Sequence, residues 1–144
     1  MNTSYLPELP ELSVGGPQLV PHHRFWDYCA QGELRFQRCA DCSAFRHPPS
    51  PLCPRCRSSQ SLWALAPDDA ELFSYTVVHH ATHPALKTVL PYNVAIVAFP
   101  SIGYLRIVSN VIDVAPAELV IGMPLMLAWQ AASAQRQLPR FRKR

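Results

Sequence analysis

Two C-x-x-C pairs, a succession of five strand-like runs and one short helical stretch before them predict a mainly β protein. The expected architecture is a short N-terminal helix, a four-cysteine zinc ribbon and then a five-stranded OB-fold barrel. The chain has 144 residues, 49% hydrophobic and 16% charged, which suits a globular protein with a real core. A ribbon of some twenty residues has too little core to fold alone, so a metal must supply the missing free energy. In zinc-finger peptides that amounts to roughly 10–16 kcal/mol.

Residues 1–20 carry prolines at 7, 10 and 17 and a Gly15-Gly16 pair, and read as a Pro-rich flexible arm, either disordered or wrapped on a partner. Residues 21–33 form the helix, entered at Pro21 and ended at Gly32, with Phe25, Trp26 and Cys29 at helical spacing. Cys29, apart from the pairs, reads as a small buried hydrophobe. Residues 34–59 are the ribbon, in which "LRFQR" leads as a strand into the first cysteine pair. Residues 60–132 hold the barrel runs SLWALA, ELFSYTVVHH, NVAIVAF, YLRIVSNVI and PLMLAWQ, separated by Pro-containing loops. Residues 133–144 are left as a basic C-terminal tail.

Cys39, Cys42, Cys53 and Cys56 are the candidate metal ligands. Ten residues separate the pairs, enough for the chain to return and close a tetrahedron. A full shell of four thiolates leaves no position for water, which disfavours hydrolytic zinc chemistry. Rubredoxin-like iron is the rival, since "CPRC" resembles a rubredoxin knuckle. Against it stand the short link and the replacement of the usual knuckle glycines by Ser43 and Arg57. Zinc is therefore the expected cofactor, and His47 reads as a loop residue rather than a fifth ligand. Paired cysteines of this kind fit a reducing compartment. With no apolar run near 18 residues and no secretory signal pattern, the expectation is a cytoplasmic protein without a membrane span.

The net charge of +3 is unevenly spread. Five of the 13 basic residues (Arg35, Arg38, Arg46, Arg55, Arg57) lie in the ribbon, and five (Arg136, Arg140, Arg142, Lys143, Arg144) in the last nine positions. Zinc with four thiolates carries a net charge of −2 and offsets part of the ribbon's excess. The barrel runs are apolar on both faces: Val94, Ile96 and Ala98 alternate with Ala95, Val97 and Phe99. A solvated barrel needs only one apolar face. Something covers the outside, either the chain's own helix and ribbon or a partner.

The order of features resembles one family. It is carried by "FWDYCAQGELRFQRCADC", "HPPSPLCPRC", "YTVVHHATHPAL", "IGMPL" and the terminal "LPRF". The likeness covers residues 21–142 and is to the acyl-CoA-associated zinc-ribbon plus OB-fold family long described as a domain of unknown function. It implies a non-catalytic subunit that assembles with a thiolase-like enzyme and helps form its acyl-CoA site. Such enzymes include thiolases, lipid-transfer-type aldolases that shorten steroid side chains, and acyltransferases. The alternative is a nucleic-acid-binding ribbon and OB-fold. An OB-fold that binds single strands needs cations among its aromatics; here Tyr75, Tyr92 and Tyr104 have only Arg106, with Lys87 in a loop.

Two further groups are candidate contacts for substrate or partner. His83, Pro84, Lys87 and Tyr92 are expected to line a cleft in the loop between two strands. Leu138 and Phe141 are expected to make "LPRF" a docking segment, with the basic end free in solvent or meeting CoA phosphates or an acidic patch. His79, His80 and His83 have no carboxylate or nucleophile nearby to use them, and no Ser-His-Asp set or phosphate loop can be assembled. The sequence reading is an accessory subunit, not an independent enzyme.

Overall fold

The structure is a computed structural model and describes residues 20–144. The arm lies outside the described residues except for Val20, which opens helix α1 (Val20–Ala30). Phe25 and Cys29 point into the core, while His23, Arg24 and Asp27 are exposed. The helix stops at Gly32, whose φ of 76° is left-handed. There Gly32 N–H donates to Cys29 O and Glu33 N–H to Tyr28 O, both at 2.9 Å, a Schellman closure that a side chain at this position would strain. No helix among the described residues is long and apolar enough to cross a membrane.

Strands β1 (Arg35–Cys39), β2 (Phe45–Arg46) and β3 (Ser61–Leu65) form an antiparallel ribbon sheet in the order β2-β1-β3. Buried Gln37, in the middle of β1, ties the sheet together. Its Nε2 donates to Ser61 Oγ at 3.2 Å, and its Oε1 accepts from Arg46 Nε and Ser50 N–H, each at 2.9 Å.

The barrel is built from β4 (Glu71–Val78), β5 (Tyr92–Phe99), β6 (Leu105–Ser109), β7 (Leu125–Ser133) and β8 (Arg136–Lys143). A β4-β5-β6 sheet and a β7-β8 hairpin are joined twice. On one side Leu72 N–H donates to Met123 O at 3.0 Å and Leu125 N–H to Ala70 O at 2.8 Å. On the other, Val111 lies parallel to Phe141, with Ile112 N–H donating to Phe141 O at 2.8 Å. The strand order around the barrel is β4-β5-β6-β8-β7. Buried Asn93 extends the ladder with its side chain, donating to Val111 O at 2.7 Å and accepting from Val111 N–H at 2.8 Å.

The barrel thus has five strands, but not the five runs expected to form it. SLWALA is β3, which pairs along its length with β1 of the ribbon. The fifth barrel strand is β8, from the residues expected to be a tail. The charges that made those residues look solvated are mostly engaged. Arg140 donates to Gln130 Oε1 at 2.9 Å, Arg142 pairs with Asp113 at 2.9 Å, and Arg144 donates to Asp68 O at 2.6 Å.

Ribbon, helix and barrel share one core. The rings of Phe36 and Phe99 meet edge to face at 5.0 Å, and those of Phe99 and Phe141 at 6.2 Å. Phe25, Cys29 and Leu34 join the same buried cluster as Val97, Val111 and Leu125. Burial pushes the Cys29 thiol up to about 12, so it stays neutral, as expected of a small core residue. His47 packs against the rings of Phe25 (5.0 Å) and Phe36 (5.6 Å). Desolvation, helped by the nearby His22, lowers it to about 4.

Two outcomes are expected. Phe141→Ala should destabilise the chain by about 3–5 kcal/mol in urea titrations, against under ~1 kcal/mol for Arg142→Ala. A Phe141→Ala variant as stable as wild type would mean β8 is the solvated tail after all. For His47, the unfolded chain takes up a proton near pH 6.5 that the folded chain refuses until about pH 4. Its contribution is therefore complete above pH 6.5 and is lost as pH falls toward 4, by roughly 2–3 kcal/mol. The stability difference between wild type and His47→Gln should shrink over that window, with zinc content followed in parallel.

Candidate metal centre and the surfaces around it

Each cysteine pair sits on a tight turn that aims two thiols at one point. Ser43 N–H donates to Cys39 O at 3.1 Å, and Arg57 N–H to Cys53 O at 2.8 Å. The return strands are held by Cys39 N–H to Ala44 O (2.9 Å) and Cys53 N–H to Ser58 O (2.8 Å). Ser43 and Arg57 take φ of 62° and 63°, the left-handed conformation for which other knuckles use glycine. The departure in sequence therefore leaves the loop geometry intact at a cost in backbone strain.

The four sulfurs lie within 4.8 Å of one another. Cys39 Sγ is 3.5 Å from Cys56 Sγ, and Cys42 Sγ is 3.6 Å from Cys53 Sγ. A tetrahedron with Zn–S of about 2.3 Å has edges of about 3.8 Å, so the set fits zinc. The Cys42 N–H lowers the Cys39 thiol to about 6, and the Cys56 N–H lowers Cys53. The Ser58 amide also pulls Cys56 down, but hydrogen bonding with Cys39 and the other thiols holds it up at about 12. The cluster is thus poised to lose protons as metal enters. Four ligands close the shell, and the zinc they hold is a staple between β1 and the second knuckle.

Two of the ribbon's arginines brace it locally. Arg38 donates to Ser43 O at 3.4 Å and lies over the Phe45 ring at 5.7 Å. Arg46 is buried and donates to Gln37 and Ser50 O.

The other predicted residues fall in two places. His83, Pro84 and Lys87 are exposed in the β4–β5 connection, where a 3-10 turn, Pro84–Leu86, is capped by His83 Nδ1 accepting from Ala85 N–H at 3.2 Å. Tyr92 is half-buried at the start of β5, opposite Val78. Leu138 is half-buried on β8, and Phe141 is fully buried in the core. Phe141 in this structure is a core residue, not a free docking side chain, because its strand completes the barrel.

Sequence reasoning missed a cleft of about 300 Å³ between ribbon and barrel. Leu34, Ala66, Phe99, Leu125 and Phe141 form its apolar floor, with Met126 and Arg144 also lining it. No local signal marks it, since its walls come from parts of the chain remote in sequence. Among the described residues the four cysteines are the one group of His, Cys, Asp or Glu disposed to hold a metal.

A four-cysteine metal centre on a ribbon that shares its core with a five-stranded barrel defines a zinc-ribbon OB-fold module. The chain belongs to the ChsH2 family: the model of the ChsH2 rubredoxin-like zinc ribbon domain matches residues 26–61, and that of its C-terminal OB-fold domain matches residues 63–130. It is similar to a probable enoyl-CoA hydratase alpha subunit of Thermomonospora curvata, 39% identical over 88% of this chain and 39% of that one. It is also similar to the 3-oxo-4,17-pregnadiene-20-carboxyl-CoA hydratase alpha subunit of Mycobacterium tuberculosis, 36% identical over 70% of this chain and 31% of that one. The chain thus spans well under half the length of these curated relatives. Among solved structures, a chain of the Ltp2-ChsH2(DUF35) aldolase superposes with a TM-score of 0.79 at 35% identity, over 94% of this chain and 98% of that one. A DUF35-family protein of unknown function from Sulfolobus solfataricus shares the fold, with a TM-score of 0.64 at 16% identity over 92% and 90% of the two chains.

Purified chain should carry one zinc, and Cys53→Ser should lose it and unfold at far lower denaturant, measured by metal release and circular dichroism. Ser43→Gly and Arg57→Gly should each keep the zinc and raise stability by about 0.5–1 kcal/mol by relieving the left-handed strain.

Proposed function

We propose that this chain is a non-catalytic subunit of a thiolase-like enzyme acting on acyl-CoA, of the kind that shortens steroid side chains. The observation that carries this reading is the likeness to a chain of the Ltp2-ChsH2(DUF35) aldolase, at 35% identity over 94% of this chain and 98% of that one. The site chemistry agrees, since a closed four-thiolate zinc has no position at which to activate a substrate. Hydratase activity belongs to the names of the longer relatives and is not transferred to this chain. In the proposed complex the module lies beside the partner's active-site mouth. The exposed loop of His83, Pro84 and Lys87, with Tyr92 at its end and Leu138 on β8, contacts the partner or the acyl-CoA. The arginines that could have favoured a polynucleotide are largely engaged in the ribbon and on β8, which leaves that alternative without a continuous basic track.

Co-expression with a thiolase-like protein from the same organism should yield a stable complex of fixed stoichiometry. Acyl-CoA cleavage should require the partner and rise on adding this chain. Catalysis by the purified chain alone, or absence of both acyl-CoA binding and complex formation, would sink the reading.

A further inference from the structure

The barrel is apolar on both faces, and the structure covers only part of the outside. Helix α1 packs on β8 and β1, at the end of the barrel where Phe36 meets Phe99. Among the described residues, none covers the outward side of β4-β5-β6 at Phe73 and Val108. Register places Ser74 beside Ile96 and Ile96 beside Val108 in one row across the three strands. Phe73 is set out of register by a bulge between Leu72 and Ser74. Val108 is 69% exposed and Phe73 37%. The turn before β7 prolongs the strip: Gly122 N–H donates to Leu72 O at 2.7 Å, which brings Val120 and Ile121, 62% and 65% exposed, alongside β4.

One cation is fixed on this strip. The Arg106 guanidinium carbon lies 3.9 Å from the centre of the Phe73 ring. The exposed Arg106 makes no ion pair with any described residue; Glu71, half-buried in the same part of the sheet, does not pair with it. An aromatic–arginine pair within β-branched apolar side chains has the composition of an interface centre. Stacking holds the guanidinium in place, so a carboxylate on the occupant would find its donors already oriented.

We propose that this face, Phe73, Ile96, Val108, Val120 and Ile121 around Arg106, is the surface that docks the thiolase-like partner, and that the partner presents an apolar patch with a carboxylate to Arg106. This rests on the functional reading above and goes further by assigning its interface. Stable interfaces bury about 800 Å² per partner around a centre of this composition.

The test is binding of the co-expressed thiolase-like protein to wild type and to Val108→Asp, Arg106→Glu and an Arg24→Glu control at an exposed position of α1, by size exclusion and titration. Zinc content and urea midpoint check that each variant folds. Both face variants should weaken binding at least tenfold, while the control binds as wild type does. Arg106→Glu keeps the test open if Val108→Asp folds poorly. Wild type that binds the partner alongside unchanged face variants overturns the surface and leaves the functional reading standing. Wild type that binds no thiolase-like protein overturns both. Self-association of the chain alone that Val108→Asp abolishes would assign the face to a second copy and overturn the proposal.

Discussion

The contact on which this molecule depends is the line of three rings, Phe36, Phe99 and Phe141, running from the ribbon sheet into the barrel. Each ring is fully buried and each comes from a different part of the chain: β1, β5 and β8. Edge-to-face aromatic contacts add about 0.5–1.5 kcal/mol each to the area they bury. The line matters beyond that energy because it merges two modules into one core. Without it, the ribbon would be a zinc-dependent knot on a linker, and the barrel would be open at one end.

Zinc and the ring line divide the work between them. The metal fixes the knuckles, and so the end of β1 at Cys39. The aromatic contacts then set how that sheet sits on the barrel. Gln37 links the two regimes, since its side chain spans β2 and β3 while its neighbour Phe36 faces the barrel. This coupling explains how Ser43 and Arg57 can be tolerated in the left-handed region. Metal coordination worth on the order of 10 kcal/mol absorbs a strain of about 1–2 kcal/mol at each position.

The shared core also places the surfaces. Because α1 and the ribbon close the end of the barrel, they are not free to cover its β4-β5-β6 side. The cleft lined by Leu34 and Arg144, the loop at His83 and the exposed apolar face are therefore separate features of one fold. In the proposed complex this arrangement supplies contacts, and the partner brings the reacting groups.

Much was legible from local pattern alone. Cysteine spacing set the metal centre because two C-x-x-C pairs separated by ten residues let the chain fold back and bring four thiolates onto one ion. The helix was marked by Pro21 and Gly32, and the strands by period-two alternation, since both depend on neighbouring residues. Assignment of strands to sheets was not legible. SLWALA reads as a barrel strand, yet it pairs with β1, and the charged segment ending in Phe141 closes the barrel. Alternation shows that a strand has a buried face but not which sheet buries it. The same limit applied to two-sided apolarity: the sequence required that the barrel's outer side be covered. Only the tertiary structure showed that α1 and the ribbon cover the end of the barrel and that, among the described residues, Phe73, Val108 and Ile121 stay exposed, because coverage depends on contacts between residues far apart in the chain.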